Sequence, residues 1–223
     1  MNQMSTAPIT IDESWQVIHS AGALSPFKQL LLECQAEIRP DVQETLALAD
    51  HIGGALLESA TSTPLSASFM AQLSERLGQE DATDEEPTSG SVDENPEWMP
   101  AALSDYLRRA GHRLKWRAAG RGVQKAHLAR SPSGERLYLL RARPGFQVPR
   151  HSDSGQEWTL ILSGGYKAGS NQFLAGDLHQ EDEHSEHDLR IDDDGPCISL
   201  VADEGRLKFS SPVLKWLQPL LGL

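Results

Sequence analysis

Apolar residues recur at spacings of three and four through the first third of the chain. Phe27, Leu30, Leu31, Cys34 and Ile38 share one helical face, and Val42, Leu46, Ala49, Ile52 and Leu56 share another. Ser25-Pro26 opens the first of these helices: a serine oxygen satisfies an orphan amide, and proline at the first helical position gives up no hydrogen bond. Arg39-Pro40 ends it, because the residue before a proline is pushed out of helical backbone. Asp41 is the candidate cap of the next helix, and Gly53-Gly54 weakens its end. A short segment, Ser14 to Ser20, precedes them. A fourth follows a Ser/Thr-rich loop, where Ser66 caps a face of Phe69, Met70, Leu73 and Leu77. Four short helices make a small core on their own, so an apolar face is expected to lie against a partner.

Residues 79–97 break the pattern. They carry eight acids, no base and almost nothing apolar. Such a stretch buries too little surface to offset its ordering entropy and is expected to be a flexible acidic linker. The period then changes. Trp98 to Leu107 predicts a short cover helix. From Arg113 onward come short alternating segments: Leu114-Trp116-Ala118, Val123 to Ala129, Leu137-Leu139, Trp158 to Leu162, Cys197 to Val201 and Leu207-Phe209. Short strands at this spacing predict a sandwich or barrel. Pro212 to Leu221 reads as a short helix or tail. The expected fold class is α+β multidomain: a helical domain over 1–78, a linker over 79–97 and an antiparallel β-barrel domain over 98–223.

Charge narrows the partners. The net charge of −12 on 223 residues argues against general nucleic-acid binding, which needs a basic surface. The charge is segregated: Asp105 to Arg150 holds twelve Lys and Arg against two acids, and Asp177 to Glu204 is strongly acidic. The simplest reading is two faces of one barrel neutralising each other; a basic docking strip is the alternative. No apolar run reaches membrane-spanning length. The start of the chain lacks the basic and apolar regions of a signal peptide. Cys34 and Cys197 are distant and sit among apolar neighbours, so both are expected as packing residues in a cytoplasmic protein.

The residues that carry chemistry lie between Gly145 and Gly164. His151 and Asp153 are two apart, so on a strand they point to one face. Ser154-Gly155-Gln156 supplies a bend, and Glu157 starts the next apolar strand. A fourth ligand is expected from a later strand. His187 shares parity with Leu189 and Ile191 and is the best candidate, whereas His184 has the opposite parity and His179 lies nearer the turn after Gly176-Asp177. Paired carboxylates are too costly to bury without a cation. A mixed His/carboxylate set suits zinc, iron, manganese or nickel.

This spacing resembles the first cupin motif: Gly, five residues, His-x-His, a short gap, Glu, six residues, Gly. Gly145, His151, Glu157 and Gly164 match, and Asp153 replaces the second histidine. The resemblance implies an RmlC-like jelly roll, or double-stranded β-helix. A wider resemblance, to the ChrR-type anti-sigma factors, covers most of the chain. It is carried by Ser20-Ala-Gly-Ala-Leu-Ser25, Asp50-His-Ile-Gly-Gly-Ala-Leu-Leu-Glu58, Gly176-Asp177-Leu178 with Glu186-His187, and Cys197-Ile-Ser-Leu200. It implies a helical domain that binds an extracytoplasmic-function sigma factor, and a cupin that acts as a stress or ligand sensor with zinc as its first-choice ion. It also supports His187 as the fourth ligand. The family's helical domain binds a further zinc through a His-x3-Cys-x2-Cys element and an upstream histidine. Those positions fall here on Gln35, Arg39 and Val42, with Thr10 near the upstream site, so no metal is expected in the N-terminal domain.

The expected function is therefore a transcription regulator with a sigma-factor partner and a single divalent ion at His151, Asp153, Glu157 and His187. The alternative is a cupin metalloenzyme, a dioxygenase or isomerase acting on a small molecule. It is weakened by the lack of a second acid/base pair, since His112 and His127 stand alone. Trp98, Trp116, Trp158 and Trp216 could line a ligand pocket but read more simply as core aromatics.

Overall fold

The structure is a computed structural model, and it describes residues 14–80, 95–152, 155–181, 187–204 and 208–209. Five helices are described: α1 (Ser14–Ser20), α2 (Pro26–Ile38), α3 (Pro40–Ser59), α4 (Ala67–Glu80) and α5 (Ala101–Arg109). Ser25 caps α2 as its sequence predicts, accepting from the Lys28 amide. Ser66 does the same for α4 through the Phe69 amide at 3.1 Å. Arg39, not Asp41, is the residue that ends α2 and begins α3, with extended backbone before Pro40. Gly53-Gly54 does not interrupt α3, which continues to Ser59. The acidic stretch predicted as a linker lies mostly outside the described residues, as does the tail from Pro212.

Eleven strands are described: β1 (Arg117–Ala118), β2 (Val123–Arg130), β3 (Arg136–Ala142), β4 (Gln147–Ser152), β5 (Glu157–Ser163), β6 (Gly165–Ala168), β7 (Asn171–Leu174), β8 (Leu178–Glu181), β9 (His187–Ile191), β10 (Cys197–Asp203) and β11 (Lys208–Phe209). They form two sheets, β1-β2-β3-β10-β5-β8 and β11-β4-β9-β6-β7, with antiparallel pairing between the strands. The hairpin of β6 and β7 and strand β8 have only four residues each and little apolar alternation, which is why the sequence pattern passes over them. Gly169, at φ +56°, makes the tight turn of that hairpin.

Both faces of the six-stranded sheet are buried. One face packs against helices: Phe27, Leu30, Leu31 and Cys34 of α2 and Leu103 and Leu107 of α5 meet Leu137, Leu139, Trp158, Leu160 and Leu200. The other face looks into the space between the sheets, where Ile161 and Cys197 meet Tyr166, Phe173 and Ile191. The alternation of β5 makes the division plain: Trp158, Leu160 and Leu162 go to the helices, and Ile161 goes inward. Burying a leucine such as Leu31 contributes about 2 kcal/mol, so α2 is seated firmly on the barrel wall. The aromatic expectation holds for Trp158, which is fully buried on the helix side, with Trp98 and Trp116 packed against the same cluster.

The outer helices are different. On α3 only Val42 and Leu46 are buried, while Leu48, Ile52, Leu56 and Leu57 are exposed. On α4, Phe69, Met70, Leu73 and Leu77 are all exposed. No helix among the described residues is long and apolar enough to cross a membrane.

Candidate metal centre

The inward face of the six-stranded sheet carries a row of charge. Glu181 on β8, Glu157 on β5, Asp203 on β10 and Arg136 on β3 are successive Cα partners across four neighbouring strands. Their parity matches Ile161 and Cys197, which pack between the sheets. Three carboxylates abreast repel one another, because like charges directly opposite destabilise a sheet. Arg136 Nε meets Asp203 at 2.7 Å, and both side chains are largely buried. His179 Nε2 meets Glu181 at 2.5 Å. Glu157 takes hydroxyl donors, Thr159 Oγ1 at 3.0 Å and Tyr138 at 3.4 Å. A cation beside Glu157 would offset the repulsion from its two acidic neighbours, so the donor set suits a divalent ion.

The opposing sheet supplies the histidines. His151 on β4 and His187 on β9 are Cα partners in an antiparallel pair, so the two positions share a face of the sheet. Leu189 and Ile191, two and four residues beyond His187, pack between the sheets, as the parity argument expected. The register of β4 against β9 shifts between Val148 and His151, and this irregularity brings His151 opposite His187. Glu157 therefore stands on one wall of the barrel, and the two histidine positions are paired on the other. Asp153 lies outside the described residues. Among the described residues alone, no group of three His, Cys, Asp or Glu is gathered closely enough to hold an ion.

His179 is the inward residue that the sequence reading passed over. It lies just after the Gly176-Asp177 turn, as expected, but on β8 and inward, with Leu178 and the helices behind it. Its ring stacks on Phe173 at 4.0 Å. Its Nδ1 is 2.8 Å from the Tyr166 hydroxyl. With Nε2 donating to Glu181, Nδ1 accepts from Tyr166, giving a chain from phenol to imidazole to carboxylate. Burial holds the Tyr166 phenol well above its usual range, so it stays protonated as a donor. The alternation Leu178-His179-Gln180-Glu181 was the available signal, and it was too short to read as a strand.

Lys125 is the other inward group that the sequence did not single out. Its Nζ sits 3.5 Å from the centre of the Tyr138 ring. Burial, followed by the neighbouring Arg136, pushes its ammonium down to about 8. The two cysteines are free and buried, and burial pushes both thiols up to about 12. The charge segregation is partly resolved by pairing across it: Arg136 of the basic stretch binds Asp203 of the acidic one.

A family profile described as the ChrR Cupin-like domain matches residues 108–204. The anti-sigma-E factor ChrR of Cereibacter sphaeroides is 30% identical over 215 residues, covering 94% of this chain and 95% of its own. The chain belongs to the ChrR family. A chain of the crystal structure of Rhodobacter sphaeroides SigE in complex with the anti-sigma ChrR overlays on it with a TM-score of 0.70 at 25% identity, covering 87% of this chain and 97% of that one. The family and the cupin architecture expected from the motif spacing are thus borne out.

The three helical positions that the sequence resemblance set against the family's zinc ligands make other contacts in this chain. Gln35 is buried and donates to the Gly176 carbonyl at 3.0 Å. Arg39 bonds Asp177 of the barrel at 3.0 Å and Asp41 at 2.7 Å. Val42 is packed in the helical core.

Proposed function

We propose that this chain is an anti-sigma factor. Its N-terminal helices bind an extracytoplasmic-function sigma factor, and its cupin holds one divalent ion, zinc first, through His151, Asp153, Glu157 and His187. The observation that carries the reading is the apolar surface of α3 and α4 on a chain of this family. Leu48, Ile52 and Leu56 follow one another at four-residue spacing on α3, as do Phe69, Leu73 and Leu77 on α4, and all six are exposed. A contiguous apolar face of this kind marks a protein partner. The 30% identity to an anti-sigma-E factor, running through helices and barrel together, says which class of partner.

The metal reading is supported by the carboxylate row and by the register that opposes His151 to His187. The ion would neutralise the centre of the barrel and tie the two sheets together. A stress or ligand sensor needs a site whose state can change, and an ion held between two sheets meets that need. Such a regulator works in the cytoplasm, touches no nucleic acid directly and can accept a small molecule in the barrel.

The test is binding and transcription. The full chain is mixed with the extracytoplasmic-function sigma factors of its own genome, one at a time, and with RNA polymerase. One of them should form a stable complex and lose transcription. Ile52→Asp with Leu73→Asp should abolish both effects without unfolding the barrel. If every sigma factor stays active and unbound, the reading is wrong.

A further inference from the structure

Each of the three carboxylates in the inward row has donors of its own. Asp203 is taken by Arg136 at 2.7 Å, Glu181 by His179, and Glu157 by Thr159 Oγ1 and the Tyr138 hydroxyl. Lys125 shares their face of the sheet and is paired with none of them. On β2, Ala126 and Leu128 go to the helices while Val123 packs between the sheets, so the parity of Lys125 is inward. Its Cα partner on β3 is Leu140. The side chain is half-buried. Its ammonium has no hydrogen bond and no ion pair among the described residues; it lies over the buried Tyr138 ring, 3.5 Å from the centre.

An amine in such a place is a nucleophile. Lysine is activated in two ways, by desolvation and by a neighbouring cation, because both disfavour the ammonium form. Lys125 has both. Burial acts most strongly on it and Arg136 acts next, while Asp203 and Glu157 pull the other way without reversing the effect, so the ammonium is pushed down to about 8. At pH 7.5 roughly a quarter of such amines are neutral, against about one in a thousand for an ordinary lysine. A weaker base is also a weaker nucleophile, and the slope known for thiols takes back about tenfold of that gain. The remainder still favours Lys125 over an exposed lysine. Arg136 is engaged by Asp203, so its charge stays beside Lys125 instead of turning to solvent.

We propose that Lys125 is a carbonyl-capture site on the inward face of the barrel, and that the compound it takes is a small aldehyde. The Lys125 nitrogen adds to the carbonyl carbon, forming the C–N bond, and the carbonyl oxygen gains a proton. The resulting carbinolamine loses that oxygen as water and becomes an imine. No oxidant or reductant is needed, and hydrolysis reverses the step. The half-buried position limits the compound to a few carbons. Capture at Lys125 is independent of the sigma-factor reading and adds a covalent site to the barrel.

The experiment uses the full chain as purified. It is incubated at pH 7.5 with propionaldehyde and cyanoborohydride, which reduces each imine to a stable propyl-amine, and peptide mass spectrometry follows the mass gain at each lysine with time. Lys115 and Lys167, both exposed, serve as standards within the same molecules. Lys125 should be labelled at least fivefold faster than either, and urea should abolish the preference. Lys125→Arg should remove the fast adduct and leave the rates at Lys115 and Lys167 unchanged. Labelling of Lys125 no faster than of the two exposed lysines overturns the proposal. A preference that persists in urea overturns it too, because the reactivity would then owe nothing to the folded barrel.

Discussion

Glu157 and Glu181 stand directly opposite each other on β5 and β8, both on the inward parity of the sheet. Asp203 is the partner of Glu157 on its other side. Charges of one sign in such a row need countercharge or donors beside them: Arg136 pairs with Asp203 on one flank, and the His179 imidazole donates to Glu181 on the other. The centre of the row is where a divalent ion would do the most.

That placement predicts the outcome of metal analysis. The purified chain should carry about one equivalent of divalent metal, falling to near none in His151→Ala and in His187→Ala. Glu157→Gln should lose most of the metal as well. Thermal melts with and without chelator check the energetic side. Metal at a thousandfold excess over its dissociation constant stabilises by about 4 kcal/mol, and that gain should vanish in His151→Ala. Equal melts in both conditions would contradict the assignment.

Gly176→Ala should be costly, because this turn glycine is buried under the helix junction. The backbone at φ +89° disfavours any side chain, and the new methyl would press on Arg39 and Ile38. Strain of this kind costs about 1–3 kcal/mol. The helix junction must also shift, so hydrogen exchange should rise across Pro26–Ile38 and less across Arg136–Ala142. Urea melts and exchange mass spectrometry read the two effects separately.

Lys125 predicts a pH dependence with a definite sign. Its folded-state value of about 8 lies below the ordinary lysine value of 10.5. Between those two values the unfolded chain holds the proton and the folded chain does not. Stability should therefore rise with pH across that window, and the penalty for burying the ammonium is fully present below pH 8. The size is up to about 3 kcal/mol from the shift alone, less whatever solvent screening removes. Lys125→Met should be more stable than the parent at pH 7 and should lose the rise. A parent whose stability is flat from pH 8 to 10 relative to Lys125→Met would refute this.

Cys34 and Cys197 should be inert in the folded state. Both thiols are buried and held far above neutral pH, so almost no thiolate is present. Iodoacetamide at pH 7.5 should modify neither until denaturant is added. A response to oxidants should survive Cys34→Ala, which the surrounding leucines make mildly destabilising. Fast modification of either thiol in the native chain would place a redox role back on it.

The candidate metal ligands were legible in the sequence as a proposal, and the fold bears on only part of it. The spacing from Gly145 to Gly164 gave His151, Asp153 and Glu157, and parity with Leu189 and Ile191 singled out His187. The register of β4 against β9 and the inward parity of Glu157 agree with that choice. What the spacing could not supply is the company Glu157 keeps. Glu181 and Asp203 lie 24 and 46 residues away along the chain, on strands whose pairing only the closed sheet defines. His179 was lost for the same reason: a four-residue strand has too few alternations to declare a face.

Local periodicity determined the helices, their caps at Ser25 and Ser66, and the alternation of the longer strands, because each depends on neighbours within a turn or a pleat. It also determined that α3 and α4 carry apolar faces. Tertiary structure alone decided which apolar face is covered. The face of α2 meets the barrel, whereas those of the outer half of α3 and of α4 stay open. It decided, too, that Arg39 bridges 138 residues to Asp177. Contacts at that separation leave no trace in the local pattern, since their energy appears only when two distant surfaces have already been brought together by the burial of everything around them.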